Sequence, residues 1–277
     1  MILDGFKTAE ELRKNIAEEI RTNKYNITLV VIIVGENPAS QIYVRNKAKA
    51  CEDVGIKSII YAFEENASQK EVISKIQELN ADKNINGILV QLPLPNHIDE
   101  SAVINSIDPN KDVDGLTIYN QGKLFKGEKT IKPATPKGVI TLLKNNNVEI
   151  AGKNAVVIGR SILVGKPVSL LLMKENATVT MCHSRTVNLK EITRKADILV
   201  VAIGKPKFVT EDMVKKDAVV VDVGINRVQG KVCGDVDFDN VIKIASYVSP
   251  VPRGVGPMTI ASLLENVVDC YKLQQEK

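Results

Sequence analysis

Strand-sized apolar runs alternate with helical patterns along almost the whole chain, and this alternation limits the fold more than any single residue does. Runs at residues 27–34, 56–63 and 85–92, then at 154–158, 177–182, 198–203 and 218–223, are separated by segments with helical patterning. Parallel strands require crossover connections of that kind, so the pattern predicts an α/β protein with mainly parallel sheets. At 277 residues, two domains are expected. Between residues 108 and 132 the periodicity weakens into Pro, Gly, Asn and Lys, as at a crossing between domains. Local signals place several helices. Asn37-Pro38 opens one that runs to Val54 and stops at Gly55, Ser68 and Glu71 form a capping box, and Thr135-Pro136 opens another. Residues 259–274 carry Ile260, Leu263, Leu264, Val267, Val268 and Tyr271 at helical spacing.

Composition narrows the function classes. No apolar run approaches the ~20 residues that cross a bilayer, and the N-terminus lacks the apolar core and small-residue cleavage site of a secretory signal. No membrane partner and a cytoplasmic location are therefore expected. The 37 basic and 33 acidic residues are interspersed without a basic stripe, and aromatics make up 4% with no Trp, so no nucleic-acid partner is expected. Cys51, Cys182, Cys233 and Cys270 are scattered, and His97 and His183 are the only histidines. The cysteines read as buried thiols, and no metal site is expected.

Residues 154–165 read as a strand, a turn with Gly159, and a helix start at Gly165. Such a turn aims backbone N–H groups and the positive end of a helix at a phosphate. Arg160-Ser161-Ile162 fills the place where a second glycine would admit a pyrophosphate, so a tight turn without a ligand is an equal reading of this segment alone. The next strand shifts the balance. A NAD-binding unit ends that strand in Asp or Glu, whereas here Cys182-His183-Ser184-Arg185-Thr186 follows. Together with Arg160, two guanidinium groups and hydroxyl donors suit a 2′-phosphate and favour NADP over NAD. The competing reading of Arg185 is a solvated loop arginine.

The helix at 37–54 holds an anomaly. At about 100° per residue, Tyr43, Val44, Lys47, Cys51 and Val54 share one face, which puts Lys47 in the middle of an apolar stripe. Such a lysine either snorkels past the edge of the core or sits in a cleft, where desolvation suits it to proton transfer. Tyr43, one turn earlier, is either a core tyrosine with its hydroxyl at the rim or a flat surface beside the amine. Gln91 ends an apolar strand, and Asp112 and Asp114 precede Gly115; polar groups at strand ends face the crevice in which α/β proteins bind ligands. The two aspartates are equally readable as turn chemistry and as carboxylate for the paired N–H donors of a pterin-like ring.

Several motifs stand in a telling order. They are Tyr43-Val44-Arg45-Asn46-Lys47, Val90-Gln91-Leu92-Pro93-Leu94-Pro95, Lys111-Asp112-Val113-Asp114-Gly115-Leu116, Gly159-Arg160-Ser161 with Val164-Gly165, and Cys182-His183-Ser184-Arg185-Thr186. Asp222-Val223-Gly224-Ile225-Asn226, Gly234-Asp235-Val236 and the stretch from Pro250 to Thr259 complete the set. In this order and spacing the chain resembles, over essentially its whole length, the bifunctional methylenetetrahydrofolate dehydrogenase/methenyltetrahydrofolate cyclohydrolase family.

The resemblance implies two α/β domains flanking a cleft. Residues 1–118 and 258–277 would form a folate-binding catalytic domain, 135–257 a Rossmann-like NADP-binding domain with a mainly parallel sheet, and 119–134 a connecting segment. It implies tetrahydrofolate derivatives as substrates, with the pterin stacked on Tyr43, Lys47 as the essential proton-transfer residue tuned by Gln91, and Asp114 binding the ring. Pro252 and Gly256 of the prolyl loop would contact substrate. Gly159, Arg160, Ser161, Gly165, Ser184 and Arg185 fall where the family holds NADP, with Ile225 near the nicotinamide. A homodimer paired through the cofactor domains is implied as well. One departure stands out: the family usually shows two glycines where this chain has Arg253-Gly254. Arginine tolerates positive φ poorly, so a differently shaped loop is expected. Formate activation is not expected, because the large ligase domain of some members is not in this sequence.

The implied chemistry needs few residues. In 5,10-methylenetetrahydrofolate the nitrogen lone pairs stabilise the cation left by hydride loss, so oxidation with NADP mainly requires alignment. Hydrolysis of the methenyl product to 10-formyltetrahydrofolate requires proton shuttling. Two other readings are an NADP-dependent dehydrogenase for another small, shikimate-like molecule and a non-catalytic dinucleotide sensor.

Overall fold

The computed structural model describes residues 1–276. The chain divides into two compact units, residues 11–134 with 263–277 and residues 1–10 with 135–262. Along the first part of the chain run α1 (Gly5–Asn23), β1 (Thr28–Val34), α2 (Pro38–Asp53), β2 (Lys57–Phe63), α3 (Gln69–Ala81), β3 (Gly87–Val90), α4 (Glu100–Asn105) and α5 (Ile118–Phe125). The second part carries α6 (Ala134–Asn145), β4 (Asn154–Ile158), α7 (Gly165–Lys174), β5 (Thr178–Cys182), α8 (Leu189–Thr193), β6 (Ile198–Val201) and β7 (Val219–Asp222). It closes with β8 (Asn226–Val228), β9 (Lys231–Cys233), α9 (Phe238–Val241), β10 (Tyr247–Val248) and α10 (Val255–Gln275).

The unit of residues 11–134 and 263–277 holds a parallel sheet in the order β2-β1-β3. Every residue of the central strand β1 is buried, which accounts for its unbroken apolar run: a parallel strand covered on both faces has no polar side. Val30 and Ile32 of β1 pack in one cluster with Val72 and Ile76 of α3 and Ile88 of β3, each such side chain contributing about 1.5–3 kcal/mol through burial. The capping box forms as expected. Glu71 N donates to Ser68 Oγ at 3.3 Å and Ser68 N to Glu71 Oε2 at 2.7 Å. At the other end of α3 the buried Lys111 donates to the carbonyls of Leu79, Asn80 and Asp82 at 2.9, 2.8 and 2.7 Å. Asn37 Oδ1 accepts from Ser40 N at 3.1 Å and caps α2.

The other unit contains a five-stranded parallel sheet in the order β10-β7-β6-β4-β5. Counted within the unit this is 2-1-3-4-5, a doubly wound order in which the winding reverses between β4 and β6. Its core joins Val156 and Ile158 of β4, Leu199 and Val201 of β6, and Val220 of β7. The first residues of the chain belong here: Leu3 N donates to Val248 O and Val248 N to Met1 O, both at 3.0 Å, beside β10. These bounds differ from the expected division, which put residues 1–118 together.

Residues 119–134, expected as a connecting segment, carry most of α5. Thr117 Oγ1 caps that helix by accepting from Asn120 N, and Asn120 and Leu124 are its buried residues. Eight residues with two buried positions leave too faint a periodicity to read. The β8–β9 hairpin was also not foreseen. Its strands have three residues each, and its turn, Gln229-Gly230, takes positive φ at both positions, +49° and +78°, as a tight two-residue hairpin requires. Cys51, Cys182 and Cys270 are buried, but Cys233 in β9 is partly exposed, contrary to the expectation for all four.

Candidate active site

In a β2-β1-β3 sheet the winding reverses between β1 and β3, and ligands bind outside the carboxyl ends of strands at such a point. Gln91 stands there. It follows β3, and its N donates to Ile32 O at 2.8 Å, so its backbone extends the ladder. Gln91 Oε1 accepts from Lys47 Nζ at 3.2 Å while Nε2 donates to Leu92 O at 2.7 Å, which orients the amide. Lys47 is half-buried on α2, on the helix that also buries Val44, Ala50 and Cys51. Its amine is therefore engaged at a sheet end rather than only snorkelling into solvent. The amide is a neutral acceptor, so the contact is a hydrogen bond and not an ion pair.

Tyr43 lies one turn before Lys47 and is 45% exposed, so it is not a core tyrosine. The two aspartates sit in different environments. Asp112 is buried, and its Oδ2 accepts from Thr117 N at 2.8 Å and Asn120 Nδ2 at 2.9 Å, which is turn chemistry. The Asp114 carboxyl feels the Lys47 charge: burial pushes its pKa up, Lys47 pulls against the rise, and Asp112 adds to it. Cys51, one turn beyond Lys47, is no nucleophile, because burial raises its thiol to about 12 despite the opposing pull of Lys47.

In the other unit the corresponding point lies between β4 and β6. Gly159 follows β4 with φ +130°, and a Cβ there would stand 2.3 Å from Ala202 O, so the close approach of the two loops admits only glycine. Gly159 N donates to Cys182 O at 2.9 Å, and Ile158 pairs with Cys182 in register. Residues 159–161 and 183–185 thus emerge from the ends of adjacent strands, with Arg160, Ser161, Ser184 and Arg185 all exposed. The loop bearing Arg185 is ordered by its own bonds: His183 N donates to Thr186 Oγ1 at 2.8 Å and Arg185 N to His183 Nδ1 at 3.1 Å.

The start of α7 differs from the sequence expectation. Ser161 Oγ accepts from Val164 N at 3.2 Å and Gly165 N at 3.3 Å, Ser161 O accepts from Lys166 N at 3.0 Å, and Pro167 has no N–H. The helix end is largely self-capped, which leaves the exposed side chains of the two loops as the groups free to meet a ligand. Four such donors beside a cradle that a Cβ would fill fit a phosphorylated dinucleotide.

A cavity of about 250 Å³ in the same unit is lined by Gly224, Ile225, Val232, Pro250, Pro252 and Gly256, among others. Arg253 at its edge adopts φ +82°, so arginine accepts the left-handed backbone instead of avoiding it. Two contacts hold it there: Phe6 N donates to Arg253 O at 3.0 Å, and the Arg253 guanidinium lies 5.0 Å from the Phe6 ring centroid.

Two family models match the chain. The tetrahydrofolate dehydrogenase/cyclohydrolase catalytic domain covers residues 3–114, and the NAD(P)-binding domain of the same family covers residues 133–275. The chain belongs to the tetrahydrofolate dehydrogenase/cyclohydrolase family. It is 52% identical over 276 residues to the bifunctional protein FolD of Bacillus anthracis, spanning 98% of this chain and 96% of that relative. The structure of the bifunctional FolD enzyme of Campylobacter jejuni superposes with a TM-score of 0.96 at 47% identity, covering 99% of each chain. The Trypanosoma brucei methylenetetrahydrofolate dehydrogenase-cyclohydrolase, solved with NADP cofactor and an inhibitor, gives a TM-score of 0.94 at 37% identity, covering 100% of this chain and 99% of that one.

As a member of the tetrahydrofolate dehydrogenase/cyclohydrolase family the chain is a bifunctional enzyme, which sets aside the shikimate-like dehydrogenase and the sensor. Among the described residues, no helix is long and apolar enough to cross a membrane, and no group of three or more His, Cys, Asp or Glu side chains is placed to hold a metal ion.

Proposed function

We propose that the enzyme oxidises 5,10-methylenetetrahydrofolate to 5,10-methenyltetrahydrofolate with NADP and hydrolyses that product to 10-formyltetrahydrofolate. The observation that carries this reading is the Lys47–Gln91 hydrogen bond at the switch point of a family catalytic domain. Bound NADP supplies the hydride acceptor for the first step. That step needs no base on carbon, so the protein's task there is alignment: Tyr43 offers a face for the pterin and Asp114 accepts from its N–H donors. In the second step water adds to the methenyl carbon. Lys47 takes the proton that the adding water releases and returns it to the ring nitrogen when the carbon–nitrogen bond breaks, while the proton of the remaining hydroxyl passes to solvent as the formyl C=O forms. Gln91 holds the amine in place throughout.

Arg160, Ser161, Ser184 and Arg185 bind the phosphates and ribose, with Gly159 and Gly165 shaping the turn. Ile225 borders the nicotinamide, and Pro252 and Gly256 contact the substrate. A homodimer joined through the cofactor units fits the free edge of the five-stranded sheet at β5, where Thr178, Thr180 and Met181 are exposed; light scattering in solution tests it. The four free thiols fit the cytoplasm. The deciding assay follows absorbance with methylenetetrahydrofolate and either NADP or NAD. Turnover with NADP is expected, and a preference for NAD overturns the assignment of Arg160 and Arg185.

A further inference from the structure

Asp235 is fully buried, yet its carboxylate is one of the most heavily bonded groups among the described residues. Oδ2 accepts from Ile203 N at 2.7 Å and Gly204 N at 2.9 Å, and Oδ1 accepts from Lys205 N at 2.8 Å and Asn226 Nδ2 at 2.9 Å. Three consecutive amides closing on one carboxylate form a nest that only an anion fills well. The loop so held follows β6, and Ala202 is the residue whose carbonyl crowds Gly159. Asp235 therefore fixes one wall of the crevice at the β4/β6 switch point. Through Asn226 it also fixes the residue after Ile225, which lines the cavity beside the prolyl loop.

A second carboxylate positions the first. Asp222, at the end of β7, accepts from Asp235 N at 3.0 Å, Val236 N at 2.9 Å and Gly224 N at 2.9 Å, while its own N donates to Ser249 Oγ at 2.7 Å. The approach is too close for side chains on either loop. A Cβ on Gly224 would meet Asp235 Cγ at 2.2 Å, and one on Gly234 would meet Asp222 Oδ2 at 1.9 Å. The loops after β6 and β7 and the β9 end are thus tied to two buried carboxylates, while the segment entering the prolyl loop is held by the Asp222 backbone through Ser249.

We infer that Asp235 is a positioning residue for the nicotinamide half of the cofactor, setting the 203–205 loop and the Ile225 loop so that hydride transfer geometry is preserved without Asp235 touching cofactor or substrate. The inference rests on the assignment of that cavity to the nicotinamide. Asp235→Asn keeps the shape but offers a single acceptor oxygen, so one pair of N–H donors faces an NH₂ group.

The test measures both activities of the purified full chain. For Asp235→Asn, kcat/KM of the dehydrogenase falls about 10-fold or more, because small misplacements of reacting atoms are costly. Hydrolysis of methenyltetrahydrofolate without cofactor stays within about 2-fold, since Lys47 and Gln91 belong to the other unit and the segment entering the prolyl loop is held through the Asp222 backbone, not the Asp235 carboxylate. Asn226→Ala, which removes one donor and leaves the nest intact, shows the same split with a smaller amplitude, and it decides the matter if Asp235→Asn does not fold. The inference is overturned if the two activities decline in parallel, or if neither variant alters the dehydrogenase. Ile225→Trp separates this from the site assignment. If filling the cavity leaves the dehydrogenase unchanged, the assignment fails; if it blocks the dehydrogenase while the Asp235 and Asn226 variants behave as wild type, the positioning role alone fails.

Discussion

Lys47 Nζ donates to Gln91 Oε1 across 3.2 Å, joining a helix residue to the end of a parallel strand 44 positions later. The bond explains how a lysine can sit on a helix face beside buried Val44, Cys51 and Val54 and remain available for chemistry. Its partner is neutral, so proton loss from the amine breaks no ion pair with it, and the Gln91 amide is itself held by Leu92 O.

Lys47→Met should therefore abolish hydrolysis of methenyltetrahydrofolate, lowering it by about 100-fold or more, while folate binding measured by isothermal titration largely survives. Hydrolysis at the wild-type rate by the purified variant would remove Lys47 from the mechanism.

Among the described residues neither Arg160 nor Arg185 has an acidic partner, and both are exposed. Arg185→Ala should raise KM for NADP by about 10-fold or more and leave KM for NAD nearly unchanged. Initial rates with the two cofactors check this, and an equal loss with both would point to a folding defect instead.

Arg253→Gly relieves the cost of positive φ, about 1–2 kcal/mol, but loses the stacking on Phe6 and gains unfolded-state freedom. These terms nearly cancel, and urea unfolding should show a change within about 1 kcal/mol. Phe6→Leu removes the stacking alone, so it should destabilise the protein relative to wild type in the same assay.

Lys111→Met strips three carbonyls at the end of α3 of their shared donor. The expected loss is about 2 kcal/mol or more in urea unfolding. Burial lowers the pKa of this lysine, yet the bonds to Leu79, Asn80 and Asp82 need its N–H groups, and no shorter side chain reaches them.

Burial raises the Asp222 carboxyl from 3.8 to about 6, against the pull of three backbone N–H donors. A group raised on folding favours the folded state while both states are protonated, and that contribution is lost as pH rises through the folded value. Unfolding free energy should thus carry a component that declines between about pH 4 and pH 6. Comparison with Asp222→Asn, which lacks the titration, isolates it; identical pH slopes would assign the decline to other groups.

Much of the architecture was written in periodicity. The strands at 28–34 and 154–158 and the capping box at Ser68 were readable because burial on both faces and helix capping leave local signatures. Lys47 was conspicuous for the opposite reason, as a charge interrupting an apolar stripe. What stayed hidden depends on partners distant in sequence. Nothing near Asp235 announces that its carboxylate collects amides from residues 203–205, and nothing near Phe6 announces Arg253. Ser161 reads in sequence as a phosphate ligand, and its Oγ is found capping α7, since a hydroxyl's spacing to the next helix turn cannot be told from its spacing to a ligand.

The interleaving of the two units bears on how the chain can be made and cut. Residues 1–10 leave the ribosome first, yet the edge they pair with at Val248 is synthesised almost last, and Asn266 near the end of the chain supplies bonds to Val113 O and Lys132 O. Neither unit is a contiguous stretch of gene, so a break at residue 134 would strand a piece of each. An engineer wanting the cofactor unit alone would have to keep the first ten residues together with residues 135–262, which no single truncation does.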